Sequence, residues 1–428
     1  MNIKTQLHTN FQSATIIKET PVVSFLITVD CHTENSPYQT AVSLLYADLM
    51  LAGAGEYNRE DFLYAINELG ISLSVNEHEG KITIAVKTLN IHLVKTLKLI
   101  ETMLVSPTFD LAECKRAIET TNNALVLYKE DARALSHDAL RRTLYGEVDR
   151  HFDFKPELIA EAVNNITPDD LKKLHERVME SYWTVSIGGN EKTVKDILKH
   201  VEKIKKTIPT IMPAQASVST KIIKGKQLVL QTISSKQNIE LSIGGNLPLS
   251  LSDPDLAPLS FGLAVLGKWG GFAGRLMSTV REKEGLTYGI YARAEGISKS
   301  EVGYWRIMTF FAPKDVVTGI TSTLREINKI HKTGITISEW ERFKNILKTG
   351  EVLVYDSLSS TVGFVHSALV AGVTLEEYKA YRERMYSCSR SEVNQALKKY
   401  LNPENIVISA AGPVDKVAKD LKNIVKIN

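Results

Sequence analysis

The sequence predicts an α+β fold built twice, each half a mostly antiparallel sheet packed with helices. Three observations carry that expectation. The same order of strand and helix signals occurs twice along the 428 residues. Runs such as VVSFLITVD (Val22 to Asp30) and TVSIGG (Thr184 to Gly189) are apolar, β-branched and short enough for buried strands. Between them lie helical segments with recognisable start signals.

The elements repeat in order. ELGISLSV (Glu68 to Val75) corresponds to KEGLTYGI (Lys283 to Ile290), each a helix end, a glycine and a strand start. In KITIAVKTLNIHLVKTLKLIETML (Lys81 to Leu104), Ile82, Ile84 and Val86 alternate as a half-buried strand, and Leu93, Leu97 and Ile100 then follow helical spacing. YWRIMTFFAPKDVVTGITSTLREI (Tyr304 to Ile327) repeats strand then helix. ALSHDALRRTLYGEV and SSTVGFVHSALVAGV are helices in equivalent places. Thr167 is a good N-cap with Pro168 at the first helical position, and Ser389 with Glu392 makes a capping-box pattern. Gly285 lies 215 residues after Gly70, and Gly412 lies 223 after Gly189. A shared order at a nearly constant offset is the mark of duplication. The stretch Lys205 to Thr220 carries two prolines and no periodicity. The expected division is therefore 1–207 for the first half, 208–220 for the linker and 221–428 for the second half, with the helices of each half on one face of its sheet.

Composition excludes several classes. Hydrophobic content of 43% and charged content of 24% suit a globular chain, and no run reaches the roughly 18 apolar residues of a membrane helix. A net charge of +3 without a basic block argues against nucleic-acid binding. Cys31, Cys114 and Cys388 are odd in number and lack C-x-x-C spacing, so neither a disulfide framework nor a cysteine zinc site is expected. The start MNIKTQLHTNFQ has no basic head followed by an apolar run. A cytoplasmic location is the expectation, or a periplasmic one if a signal was removed.

The segment GGFAGRLMSTVREKEGLTYGIYA (Gly270 to Ala292) concentrates glycines, arginines and tyrosines. It is not a phosphate loop, because GKWGGFAG lacks the G-K-[ST] ending. Gly270 and Gly271 suggest a turn or a close backbone approach. Gly285 is placed to end the helical run LMSTVRE, whose Leu276 and Val280 share a face. Leu286 and Tyr288 are expected to begin a strand that folds back, so that Arg281 and Tyr288 approach one another.

This segment resembles the second-half signature of the pitrilysin, insulinase and mitochondrial processing peptidase family, the inverzincins. The resemblance runs from about residue 10 to about residue 425 and implies two clam-like halves of the processing-peptidase, LuxS-like metallohydrolase type. In the family an Arg and a Tyr seven positions apart hold peptide opposite a zinc site, and Arg281 and Tyr288 match them. The zinc motif of the family is H-x-x-E-H on an early helix. The matching stretch is LYADL, with Leu45 and Leu49 in place of the histidines and Asp48 in place of the glutamate. The position of the third ligand falls in TNNALV (Thr121 to Val126), which has no carboxylate. Leucine offers no lone pair, and an Asp without a metal-bound water has no proton to remove. The ten histidines contain no i, i+4 pair. His78, His137, His175 and His366 read as scattered core or surface residues. His78 follows a strand that resembles the family's substrate-pairing edge, and a charged hairpin tip is its expected role.

The resemblance thus implies the non-zinc subunit of a heterodimeric zinc endopeptidase. Its partner would carry H-x-x-E-H and the zinc, and Arg281 and Tyr288 would orient the peptide from this chain, which itself holds no cofactor. Isolated, the chain could pair with a copy of itself. The alternative is a catalytically silent peptide-binding or scaffold homologue, like the core subunits of respiratory complexes.

Overall fold

A computed structural model describes residues 2–206, 208–212, 219–268 and 271–426. The first half runs β1 (Asn2–Leu7), β2 (Phe11–Ile17), β3 (Val22–Asp30), α1 (Pro37–Leu49), α2 (Arg59–Glu68), β4 (Ser72–His78), β5 (Lys81–Leu89), α3 (Leu93–Val105), α4 (Leu111–Tyr128), α5 (Ala132–Leu144), α6 (Pro156–Val163), α7 (Pro168–Glu180), β6 (Trp183–Gly189) and α8 (Glu191–Lys205). The second runs β7 (Gln227–Thr232), β8 (Ile239–Asn246), α9 (Leu256–Gly267), a π-helical turn (Met277–Lys283), β9 (Ile290–Glu295), β10 (Tyr304–Phe311), α10 (Val316–Thr333), α11 (Ile337–Leu353), α12 (Leu358–Val370), α13 (Leu375–Ser387), α14 (Arg390–Tyr400), β11 (Val407–Gly412) and α15 (Ala418–Lys426).

The local signals act where the sequence places them. Thr167 accepts from the Asp170 N–H and Asp170 accepts from the Thr167 N–H, closing a capping box ahead of Pro168. Ser389 and Glu392 close another at α14. In α8, Val194, Ile197, Val201 and Ile204 recur at helical spacing and are buried. His78 ends β4 beside a two-residue turn, Glu79 and Gly80, both at positive φ. It is exposed and lies near Glu79, at the hairpin tip where it is expected.

The two sheets share one topology. The first has the order β1-β2-β6-β3-β5-β4 and the second β7-β11-β8-β10-β9. Each contains one parallel pair, β2 with β6 and β7 with β11, and is otherwise antiparallel. The second order is the first without its outermost strand, which is the duplication seen at the level of hydrogen bonding. β4 and β9 occupy equivalent sheet margins.

The compact units do not coincide with the sequence halves. Unit 1 comprises residues 1–125, 155–215 and 352–375; unit 2 comprises 126–154, 216–351 and 376–428. Unit 1 therefore contains α12, and unit 2 contains α5. Of the expected linker, residues 213–218 lie outside the described residues. Ile211 bridges to Ser181 and Thr220 to Tyr145.

This corrects the expectation of helices on one face only. In unit 1, Phe25, Ile27, Val29, Val185 and Ile187 point into a core with α1, α3, α7 and α8. The alternate residues of the same strands point the other way. There α12 lies across β2, β3 and β6, and the His366 ring nitrogens contact the Thr28 hydroxyl at 2.7 Å and the Ser186 hydroxyl at 3.0 Å. In unit 2, Ile239, Leu241 and Ile243 enter a core with α9, α10 and α14, while α5 crosses the opposite face of β8 and β11. Ser136 meets Ser242 at 3.2 Å, and His137 Nε2 meets the Tyr304 hydroxyl at 2.6 Å. Glu295 joins this network, receiving hydrogen bonds from Tyr304 and Arg306. Burial works to raise its carboxyl, but His137, Arg306 and Arg293 outweigh it and hold the group well below the usual carboxylate range. The second face of each sheet carries serine and threonine hydroxyls, and the exchanged helix supplies partners to Thr28, Ser186 and Ser242.

Candidate functional site

The early helix of unit 1 is built as a core helix. Ser36 caps α1 by accepting from the Gln39 N–H, and Pro37 opens it. Leu45 and Leu49, four residues apart, point into the hydrophobic core and are each 1% exposed. Asp48 faces outward, 4.0 Å from Arg59, and Arg59 pairs more closely with Glu113 at 3.0 Å. The aspartate is thus a helix-surface member of a charged cluster. Tyr46, between the leucines, is buried with its hydroxyl 3.0 Å from His175 Nδ1. Burial pushes His175 down to about 4, so the ring is neutral at pH 7. The stretch Thr121 to Val126 lies within α4, where Asn122 donates to Asn164 at 2.8 Å. Among the described residues, no group of three His, Cys, Asp or Glu could hold a metal ion.

The second candidate region, in unit 2, is a pinned turn. Lys268 N–H donates to Ala273 O, and Lys268 bridges to Ala292 beside β9. Gly270 lies outside the described residues. Of the two expectations for Gly271, turn or close approach, the turn is there, its N–H donating to Lys268 O, whereas an added Cβ would meet only the Lys268 side chain at 3.7 Å, an ordinary contact. The close approach falls at Gly274, with φ +118 and a virtual Cβ 2.9 Å from Gly267 Cα. Arg275 then forks onto Glu339 with bonds of 2.6 and 2.7 Å and donates to Gly334 O. Glu339 also closes a capping arrangement with Thr336 at the start of α11. The T-x-x-E pattern is readable in sequence; its second use as the arginine's partner is not.

Residues 277–283 form a π-helical turn rather than the ordinary helix expected of LMSTVRE. The Glu284 N–H reaches Thr279 O, five residues back, and the Leu286 N–H reaches Val280 O. Leu276, Met277 and Val280 are buried, as their spacing implies. Such widened turns recur at functional sites. Gly285 ends the turn at φ +66, as expected. Glu284 is fixed to α10 by Ser322 and Arg325.

Tyr288 does not begin a strand. It sits on a bend, and β9 starts at Ile290. The Thr287 hydroxyl bonds to both the N–H and the C=O of Gly289, and Thr309 also donates to that C=O. Side-chain bonding takes up backbone groups that a ladder would use. Tyr288 is left 82% exposed. Arg281 is half-buried, its guanidinium stacked 4.6 Å from the centre of the Phe272 ring. Among the described residues, neither the Arg281 nor the Tyr288 side chain makes a hydrogen bond or ion pair, and none joins the two. The turn therefore presents a guanidinium edge and a phenol hydroxyl with their hydrogen-bonding capacity unused. The Phe272 stack and the π-helical widening were not legible from the sequence.

The family profile described as peptidase M16 inactive domain matches residues 165–347. That stretch is similar to the M16 inactive domain. The M16 inactive-domain crystal structure from Pseudomonas fluorescens superposes with a TM-score of 0.83, covering 96% of this chain and 98% of that one at 20% identity. A structure described as a protease from Helicobacter pylori gives 0.82 over 96% and 99% at 13% identity. The non-peptidase homolog YmxG of Helicobacter pylori is 22% identical over 368 residues, 84% of this chain and 82% of its own length. The M16 inactive-domain fold, with two α+β layers of mixed sheet and helix, is thus the fold of this chain. No single helix among the described residues is long and apolar enough to cross a membrane.

Proposed function

We propose that this chain is the non-zinc subunit of a two-chain zinc endopeptidase. It presents Arg281 and Tyr288 to a peptide bound at the zinc of a homologous partner that carries H-x-x-E-H. The observation that supports this most directly is a contrast. The helix positions that would hold a metal are core leucines, whereas Arg281 and Tyr288 keep their polar groups unspent and outward. The zinc would polarise the scissile carbonyl and its bound water. Arg281 would hold a peptide carbonyl with fixed donors, and the Tyr288 hydroxyl would donate to the developing oxyanion. Reconstitution with the zinc-bearing partner tests this. Tyr288→Phe is expected to lower turnover about 100-fold with the complex still forming, the usual effect of losing one oxyanion donor, and Arg281→Ala is expected to lower it through the lost hold on the peptide carbonyl. Unchanged turnover in an intact complex would sink the assigned roles.

A second reading has its own support. The curated relative is named a non-peptidase homolog, and β4 is an exposed sheet margin onto which an extended peptide could add. In that reading the chain binds peptide or serves as a scaffold without cutting. Affinity capture from the native lysate separates the two. A stoichiometric H-x-x-E-H protein supports the split protease; recovery of the chain alone, or of an unrelated assembly, supports the silent role.

A further inference from the structure

We infer that the turn from Leu89 to Val94 in unit 1 docks on an anionic phospholipid surface, with Ile91 and Val94 entering the headgroup layer. The inference does not depend on peptide binding. Leu89 is 42% exposed, Ile91 82% and Val94 81%, three aliphatic side chains on one short turn. Single exposed aliphatics are ordinary, but a cluster of them marks a contact surface. The turn is anchored from behind. The Asn90 side chain donates to Thr20 O at 2.6 Å and its backbone N–H to Pro21 O at 2.8 Å. Leu93 and Leu97 are buried in the core, which leaves Val94 on the outer side of α3. Ile91 and Val94 therefore project from a fixed base, and little ordering entropy is left to lose on contact.

Charge identifies what covers the turn. β5 and β6 are each antiparallel to β3, so they run the same way, and α3 and α8, which follow them, start at one end of the sheet. Glu101 ties the two helices together, meeting His200 at 3.4 Å and Lys203 at 3.1 Å. Lys87, Lys95 and Lys98 flank the aliphatics and Lys192 stands on the first turn of α8, all exposed. Among the described residues none of these four makes an ion pair. Residues 82–100 contain no aspartate or glutamate. Of the acidic groups at this end, Glu191 is taken by Lys195 at 2.6 Å. Glu19, Glu68 and Asp196 remain, fewer than the lysines Lys18, Lys87, Lys95, Lys98 and Lys192. An apolar tip in a lysine collar fits a surface that is negative at its face and apolar beneath, which describes a bilayer of anionic lipid. A protein partner fits less well, because three projecting side chains fall far short of the roughly 800 Å² per partner of a stable protein interface.

The test is flotation of the full chain with unilamellar vesicles of phosphatidylcholine alone, or of phosphatidylcholine with about a third phosphatidylglycerol. The wild type is expected to partition at least about tenfold more strongly onto the anionic vesicles, and less so as salt is raised. Ile91→Ser combined with Val94→Ser should lower that partition at least about tenfold with the urea-unfolding midpoint unchanged, since both side chains are already in water. Lys95→Gln combined with Lys98→Gln should lower it too and make it less sensitive to salt. A second measurement reads the turn directly. Ile91→Cys labelled with an environment-sensitive fluorophore should shift to the blue on the anionic vesicles alone; Cys31, Cys114 and Cys388 are buried, so the new thiol is the one labelled. No partition of the wild type onto anionic vesicles would overturn the inference. So would partition that survives loss of both aliphatics, which would be adsorption by charge only. If vesicles stay bare while gel filtration shows a dimer that the serine variant dissolves, the turn is a contact between copies and the inference fails.

Discussion

His366 illustrates how one buried side chain sets a pH limit. Its ring lies between the hydroxyls of Thr28 and Ser186, and burial lowers it to about 4. Hydroxyls satisfy a neutral ring in either tautomer but cannot neutralise an imidazolium. An unfolded His binds its proton near pH 6.5, so the unfolded chain gains a proton that the folded one refuses. Stability is unaffected above about pH 6.5, falls as pH drops from there to about 4, and levels off below. For His366 alone the loss is about 3 kcal/mol, at about 1.4 per pKa unit. Urea unfolding at pH 7 and pH 4.5 of the wild type against His366→Gln isolates it, because His175, also lowered to about 4, keeps its own share of the loss in both proteins. From sequence His366 was one scattered histidine among ten. Its burial depends on a helix contributed by the other half, which local pattern does not encode. The Arg281 and Tyr288 spacing was legible because it is local. The Phe272 stack was not, since an aromatic in a glycine-rich stretch reads equally well as core.

The element scale shows the same boundary between local and non-local information. Caps and amphipathic faces came through: Thr167, Ser389 and the α8 stripe act as read. The π-helical turn did not, because it depends on how Arg275 is held by Glu339 and how Glu284 is held by α10. Nor did the late start of β9, where Thr287 and Thr309 take up the Gly289 backbone. Gly285 provides a clean measurement here. An added Cβ would meet nothing within 4 Å, so the cost of Gly285→Ala is that of its φ of +66 alone. A destabilisation of about 1–2 kcal/mol in equilibrium urea unfolding is expected. A much larger loss would mean that the backbone resolves the strain by moving the turn that carries Arg281.

At the scale of the whole molecule, the repeat was legible and the exchange of helices was not. Each half of the sequence builds one sheet and one core, but the second face of each sheet is covered by a helix from the other half. Fragments 1–207 and 221–428 are therefore each expected to be incomplete. Expressed singly, each should lack a cooperative unfolding transition, with Ser186 and Thr28 or Ser242 and Ser409 uncovered. Expressed together, the two should co-purify with a single transition. Calorimetry and gel filtration decide it, and two independently folded fragments would show that the exchanged helices are dispensable.

The exchange also carries a historical implication. A single ancestral half could have closed both faces of its sheet by trading the same helix with a second copy of itself, as a two-fold domain-swapped dimer. Joining the duplicated genes turns that trade into an internal one and fixes its stoichiometry. It also frees the copies to diverge: one helix could lose its metal ligands to leucine while the other half kept its arginine and tyrosine, because neither copy any longer had to serve as its own mirror image.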